Sequence, residues 1–158
     1  MSKIASALIS LSLIATATIC SAASNAYACS CGDKPSLEKS VSDSSVVFLG
    51  RAQSVRQNPL RPSQKEVTFG ITKLFKDDTR LLANNGVTIY TALEESLCGY
   101  SFSPNQDYLV FATGNIARLT SSLCSRNGLL EAVKGDVLEL EKQQDQAASS
   151  SSEDPSKD

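Results

Sequence analysis

Hydrophobic and polar residues alternate with a period of two along residues 65–75, where Val67, Phe69 and Ile71 are separated by small or polar residues. This alternation is typical of a β-strand with one buried face. Other apolar runs predict further strands at residues 45–55, 87–92, 97–102, 107–112 and 117–123. Turn-forming residues separate them, at 57–63, 84–86, 103–105 and 113–115. Many short strands with turns at this spacing predict a small β-barrel or β-sandwich.

Two segments have a helical pattern. Pro35 at a first helical turn predicts a short helix over residues 36–42. Residues 129–143 have apolar side chains at helical spacing with charges between them, which predicts an amphipathic helix packed on the strands. Its apolar face is formed by Leu130, Val133, Val137 and Leu140. Residues 144–158 are dominated by Ala, Ser, Asp and Glu without large apolar residues, so we expect a disordered tail.

The first 28 residues have the pattern of an export signal. A lone Lys3 precedes an apolar run, and Ala26-Tyr27-Ala28 places small residues where a signal peptidase cleaves. The run is too short and too often interrupted by Ser and Thr for a membrane span of about 20 residues. We therefore expect a signal peptide at 1–28, a mature chain that begins at Cys29, one domain over 29–143, and a secreted, periplasmic or extracellular location.

Composition excludes several classes of function. The chain has no histidine, and most hydrolytic catalysis and most zinc enzymes use imidazole. The adjacent carboxylates Asp77-Asp78 and Glu94-Glu95 lie in polar surroundings and are interpreted as solvated charges. The 15 basic and 17 acidic residues are intermixed, which predicts no nucleic-acid surface. We expect no enzyme activity, no catalytic residues, no cofactor of the protein's own, and a monomer.

Four cysteines remain after Cys20 leaves with the signal peptide: Cys29, Cys31, Cys98 and Cys124. An even number in an exported chain predicts two disulfides. A bridge between Cys29 and Cys31 is disfavoured, because side chains two residues apart in sequence satisfy disulfide geometry poorly. Two pairings remain open. Either one ties the amino terminus to two distant points of the chain, and each closed loop contributes about 4 kcal/mol in the chain-entropy account.

Two other uses of these cysteines compete with disulfides. A zinc site of four cysteines usually offers two short Cys-x-x-Cys pairs, whereas this chain has one close pair separated by a single residue. Acylation of Cys29 would make the protein a membrane-anchored lipoprotein. Ala26-Tyr27-Ala28 lacks the Leu followed by small residues that usually precedes such a cysteine, and it fits ordinary cleavage better.

The cysteine motifs resemble those of the tissue inhibitors of metalloproteinases. The similarity lies in Cys29-Ser30-Cys31 at the mature terminus, the segment from Glu95 to Tyr100, and Leu123-Cys124 before a terminal helix. It is to the amino-terminal, netrin-like domain of that family and covers 29–143. The resemblance implies a mainly β fold: a five- to six-stranded OB-type barrel with a short N-terminal helix and a C-terminal amphipathic helix. It also implies bridges joining Cys29 to Cys98 and Cys31 to Cys124.

The function implied by the resemblance is inhibition of zinc metalloendopeptidases. The free amine and the carbonyl oxygen of Cys29 would chelate the zinc of the target protease, which is the one metal involved. Ser30 would project toward the primed-side pocket, while Cys31 and Cys98 hold the terminus in place. The remaining protease-binding residues would lie along the substrate cleft: Glu95, Ser96 and Leu97.

The chain also departs from the family. It lacks the third bridge of the inhibitory domain and the whole carboxy-terminal subdomain, and Gly32-Asp33-Lys34-Pro35 is more polar than the usual stretch. The alternative function is a secreted netrin-like binding or structural module, free or lipid-anchored through Cys29, that does not inhibit a protease. Fold alone supports both functions equally.

Overall fold

The computed structural model describes residues 29–79, 86–115 and 117–151. The predicted signal peptide, the end of the predicted tail and residues 84–85 of one predicted turn lie outside these ranges.

Six strands form one sheet that closes on itself: β1 (Val46–Gln57), β2 (Gln64–Asp77), β3 (Gly86–Ala92), β4 (Asp107–Asn115), β5 (Arg118–Thr120) and β6 (Gly128–Leu129). The strand order is β1-β2-β3-β5-β4-β6, and β1 also pairs with β4. The first five strands therefore make a closed barrel, and β6 extends β4 outside it. The predicted OB-type barrel is confirmed.

Strands β1 and β4 pair over six residues, from Val46 with Ala112 to Arg51 with Asp107. The last pair is joined by two hydrogen bonds, 2.9 and 2.7 Å, between the Arg51 guanidinium and the Asp107 carboxylate. These bonds lower the pKa of Asp107. By contrast, β3 and β5 run parallel and pair over two residue pairs within the described strands, Ile89 with Leu119 and Tyr90 with Thr120.

The barrel interior is a cluster of aromatic rings surrounded by aliphatic side chains. Phe69 lies at its centre, with ring centroids 5.4 Å from Phe48, 5.2 Å from Phe102 and 6.3 Å from Tyr108, all edge to face. Tyr108 is 2% exposed. Its hydroxyl oxygen accepts a hydrogen bond of 2.9 Å from the Ser103 amide, which satisfies the polar group inside the barrel wall.

The outer face of β1 and β4 is buried as well. Val47, Leu109 and Phe111 point away from the interior and pack against the two helices. Helix α1 (Leu37–Asp43) contributes Leu37 and Val41, and helix α2 (Lys134–Ser151) contributes Val137 and Leu140. Burial on both faces explains the unbroken apolar runs of β1 and β4. The predicted N-terminal helix is present one residue later, with the Ser36 hydroxyl accepting from the Lys39 amide at 3.2 Å.

The strand predicted over 97–102 is absent. A 3-10 turn at Glu95–Leu97 and a left-handed Cys98, with φ of 63°, replace it. A chain that turns at Cys98 cannot continue as a strand, and the Tyr100 amide donates to the side-chain hydroxyl of Thr91 in β3 at 2.8 Å instead of to a backbone carbonyl. Of the two large aliphatic or phenyl side chains at the ends of this segment, Phe102 is buried in the core and Leu97 is 55% exposed.

The C-terminal helix starts later and ends later than predicted. Gly128 and Leu129 pair with β4, and a 3-10 turn at Leu130–Ala132 follows, so α2 begins at Lys134. The helix then continues to Ser151, which corrects the expectation of a disordered tail from residue 144 over the part that is described. The side-chain amide of Gln144 donates to the Leu74 carbonyl at 3.0 Å and so attaches the added turns to β2. Residues 144–151 include no large apolar side chain, so no helical spacing of apolar residues could be recognised there in the sequence.

Replacing Phe69 with Ala should lower the free energy of unfolding by about 3–5 kcal/mol, because the lost ring leaves a cavity among three aromatic neighbours. Urea unfolding measures this change. Leu60→Ala is the control: its side chain is 91% exposed in the β1–β2 connection, and its removal should change stability by less than about 0.5 kcal/mol. Equal effects of the two substitutions would contradict the assignment of Phe69 to the core.

Candidate functional site

Two disulfides tether the segment Cys29-Ser30-Cys31 to the barrel. Cys29 is bridged to Cys98 and Cys31 to Cys124. This is the pairing that the family resemblance implies. Cys98 follows β3 and Cys124 follows β5, so the bridges join the segment to two separate loops at one end of the barrel.

The two bridges touch each other. The Sγ atoms of Cys29 and Cys124 lie 3.8 Å apart. Both sulfurs already belong to disulfides and carry no proton, so this is a van der Waals contact and not a hydrogen bond. The tripeptide and its two anchoring loops consequently form one compact cross-linked unit.

The loop after β3, which we call the connector (residues 93–101), is held by a set of short hydrogen bonds. The Glu94 carbonyl accepts from the amides of Leu97 and Gly99, both at 3.0 Å, and the Glu95 carbonyl accepts from Cys98 at 2.9 Å. The Glu95 carboxylate accepts from the Ser101 hydroxyl at 2.7 Å. Because these polar groups are paired inside the loop, the backbone of the connector is held in a defined conformation.

Gly99 lets the connector pass close to β3. A Cβ atom at this position would lie 2.1 Å from the Ala92 carbonyl oxygen and 2.9 Å from that of Glu94. Such distances are far inside van der Waals contact, so any other residue would displace the backbone next to Cys98. The glycine in Cys98-Gly99-Tyr100 is therefore required by packing of the connector.

The loop after β5 is fixed by a buried polar network. The Asn127 side chain accepts from the Phe111 amide at 2.9 Å and donates to the Ser121 hydroxyl at 2.8 Å and the Ser122 carbonyl at 3.0 Å. Asn127 and Ser121 are each 7% exposed. The Leu123 amide of this loop donates to the Cys98 carbonyl at 2.8 Å, which joins the loop to the connector.

Arg126 connects the loop to α2 and to the amino-terminal segment. Its guanidinium donates to both carboxylate oxygens of Asp136, at 2.8 and 3.0 Å, and to the Pro35 carbonyl at 2.7 Å. Both side chains of the ion pair are 19% exposed. The hydrogen bonds that Arg126 donates to Asp136 raise the pKa of Arg126 further above its already high value, so the cation persists at every accessible pH.

The structure brings all of the predicted site residues to one end of the barrel. Cys29 and Cys98 are half-buried, while the remaining five are exposed: Ser30, Cys31, Glu95, Ser96 and Leu97. Leu97 is an apolar side chain 55% open to solvent. A single exposed surface thus includes the tripeptide and the tip of the connector.

The predicted site residues did not include the loop after β5, which is the third segment at this end of the barrel, beside the tripeptide and the connector. Leu123 is 38% exposed beside the bridges. A groove of about 380 Å³ runs between the amino-terminal segment and this loop, lined by Gly32, Lys34, Tyr100, Leu123 and Asn127 among others. Burial raises the pKa of the Tyr100 phenol, which keeps its hydroxyl neutral. The one signal in the sequence was the pair Leu123-Cys124.

No protein-family model matches the chain, and a search of curated proteins gives no match. Within the described residues, none of the helices combines the length and apolar composition needed to cross a membrane. The case for a function therefore depends on the residues and their geometry.

Gly99→Ala should lower stability by about 1–3 kcal/mol, because the added methyl group forces the connector away from Ala92. Urea unfolding tests this. Gly86→Ala is the matched control, since a Cβ there makes an ordinary contact of 3.5 Å with the Phe69 carbonyl oxygen. A Gly99→Ala protein as stable as the control would show that the connector has room for a side chain.

Asp136→Asn should lower the free energy of unfolding by about 1–3 kcal/mol, because it removes a charge-assisted pair and leaves Arg126 without its counterion. The control is Asp43→Asn, which breaks the exposed i,i+4 pair with Lys39 and should cost less than about 0.5 kcal/mol. Thermal unfolding in matched buffers compares the two, and a larger loss for Asp43→Asn would refute the role assigned to Arg126.

Proposed function

We propose that the protein, once cleaved after Ala28, is a secreted inhibitor of zinc metalloendopeptidases, similar in mechanism to the tissue inhibitors of metalloproteinases. The observation that carries this proposal is the double tether of Cys29-Ser30-Cys31 beside the exposed tip of the connector. The fold does not distinguish an inhibitor from another binding module, whereas a rigid, exposed terminus has a specific chemical use.

That use is chelation. The α-amine and the carbonyl oxygen of Cys29 belong to one residue and can bind a single metal ion together. On the catalytic zinc of a protease they would displace the water that the metal activates, and hydrolysis would lose its nucleophile. The sulfur of Cys29 takes no part in this chelate, because it is bonded to Cys98.

Rigidity adds to affinity because a terminus that is already ordered loses little entropy on binding. Free termini usually fray. Here the first and third residues of the mature chain are bridged to the barrel, and the Pro35 carbonyl downstream is held by Arg126 at 2.7 Å. The segment is thus fixed at both ends before a protease arrives.

The neighbouring side chains suit a substrate cleft. Ser30 is exposed between the two bridged cysteines and would enter the primed-side pocket. Its small side chain would underfill a deep pocket, which favours inhibition of several proteases over selection of one. Ser96 and Leu97 at the tip of the connector would contact the cleft beside the zinc, with Glu95 held at its base by Ser101.

The test compares three forms of the mature protein against a panel of zinc endopeptidases: one that begins at Cys29, one with an extra Ala before Cys29, and one with an extra Ala at the carboxyl terminus. The first and third should inhibit, and the second should lose at least about 100-fold in affinity because its amine lies one residue too far from the carbonyl of Cys29. Circular dichroism and thiol titration check that all three are folded and fully bridged.

Equal inhibition by the three forms, or inhibition by none of them, would contradict the chelation mechanism. Mass spectrometry of the native amino terminus separates the alternatives in the second case. A free Cys29 without inhibition would favour a netrin-like binding or structural module, whereas an acylated Cys29 would show a lipid-anchored protein whose amine is blocked.

A further inference from the structure

The four cysteine sulfurs form a cluster at the end of the barrel. The Sγ atoms of Cys29, Cys98 and Cys124 all lie within 4.8 Å of one another, and Cys31 is bonded to Cys124. Cys31 and Cys124 are exposed and the other two are half-buried. Both a reductant and a metal ion can therefore reach the cluster from solvent.

The spacing of this cluster matches a metal–thiolate site. Tetrahedral coordination with Zn–S bonds of about 2.3 Å places neighbouring sulfurs about 3.8 Å apart. The sulfurs of Cys29 and Cys124, which belong to different bridges, are 3.8 Å apart. Once each disulfide is opened, its two sulfurs must separate to van der Waals distance, which is also close to this value. Small rotations of the four side chains would complete the tetrahedron.

Sequence spacing alone argues against such a site, because Cys29 and Cys31 are separated by one residue and the other two cysteines are distant. The fold removes that objection. The connector and the loop after β5 are joined by the hydrogen bond from the Leu123 amide to the Cys98 carbonyl, 2.8 Å, and by the network around Asn127. These contacts do not depend on the disulfides, so they keep Cys98 and Cys124 together when the bridges are open.

We infer that the reduced protein binds one thiophilic divalent cation, with Zn²⁺ as the representative, through Cys29, Cys31, Cys98 and Cys124. Reduction by a phosphine converts each disulfide and one water into two thiols and one phosphine oxide. Zn²⁺ then replaces the four thiol protons, giving a tetrathiolate and four protons in solution. Hydrogen peroxide then converts each pair of thiolates to a disulfide, taking up two electrons and two protons to give two waters, and the metal is released.

The sulfurs are poorly placed for the competing reaction, exchange between the two bridges. A thiolate attacks a disulfide along the line of its S–S bond. Cys124 Sγ lies 3.8 Å from Cys29 Sγ and within 4.8 Å of Cys98 Sγ, so the three sulfurs are not collinear. Metal capture needs no such alignment.

The experiment uses the mature protein, reduced anaerobically with a phosphine that is then removed, and titrated with Co²⁺ as a spectroscopic probe. We expect one equivalent to bind with the charge-transfer and visible bands of a tetrahedral cobalt–thiolate site, and Zn²⁺ to displace it. The oxidised protein should show none of these bands. Circular dichroism during the titration reports whether the metal maintains or restores the β-barrel.

Two controls make the result specific. Leu60→Ala, at a position 91% exposed in the β1–β2 connection, keeps all four cysteines and should bind normally, whereas the double variant Cys29→Ser with Cys98→Ser should bind at least about 100-fold more weakly. Its folding with the remaining bridge is checked first in the oxidised state. Reduced wild-type protein in denaturant provides a comparison that does not depend on any variant.

The inference is supported if the tetrahedral spectrum forms under native conditions and is lost or greatly weakened in denaturant. It is wrong if reduced protein shows no such spectrum, if denatured chains bind as tightly, or if oxidised protein binds the metal equally. Failure here would leave the proposed protease inhibition untouched, because that activity is tested on the fully bridged protein.

Discussion

The pairing of β1 with β4 is the interaction on which the rest of the structure depends. Both β1 and β4 have neighbouring strands on both edges, and the six residue pairs between them close the barrel. One face of the pair carries Phe48 and Val110 into the interior, while the other presents Val47 and Leu109 to the helices. A single ladder thus organises two hydrophobic clusters, and neither would be covered on all sides without it.

The candidate site is organised differently. It contains almost no regular structure, and its shape comes from short hydrogen bonds, a glycine with no room for a side chain, and two disulfides in contact. The barrel supplies only the starting points of the connector and of the loop after β5. Because these hydrogen bonds are mostly between backbone groups, they fix the conformation of the loops and do not depend on which side chains the loops expose.

The sequence predicts the barrel well where periodicity is strong, as in β2 with Val67 and Phe69, and where both faces are apolar, as in β1 and β4. It fails where tertiary contacts override the local pattern. Leu97 and Phe102 suggested a strand, but the left-handed Cys98 and the close approach of Gly99 to Ala92 turn the chain there. The long polar end of α2 had no apolar residues to mark it, and Gln144 acts through a hydrogen bond that no period reveals.

The site residues were found from cysteine motifs and not from periodicity, so the parts without cysteine were missed. Arg126, Asp136 and Asn127 look like ordinary surface polar residues in the sequence. Their importance arises only when the fold places Arg126 within 2.7 Å of the Pro35 carbonyl and Asn127 beneath the loop that carries Cys124.

The short parallel pairing between β3 and β5 gives the bridged tripeptide a second structural role. Within the described residues, two residue pairs join these strands, which makes this the shortest strand pairing of the barrel. The loop after β3 contains Cys98, and the loop after β5 contains Cys124. The tripeptide Cys29-Ser30-Cys31 is bridged to both cysteines and so connects the two loops. The doubly bridged segment therefore also links, by covalent bonds, the two loops that follow the shortest strand pairing of the barrel within the described residues.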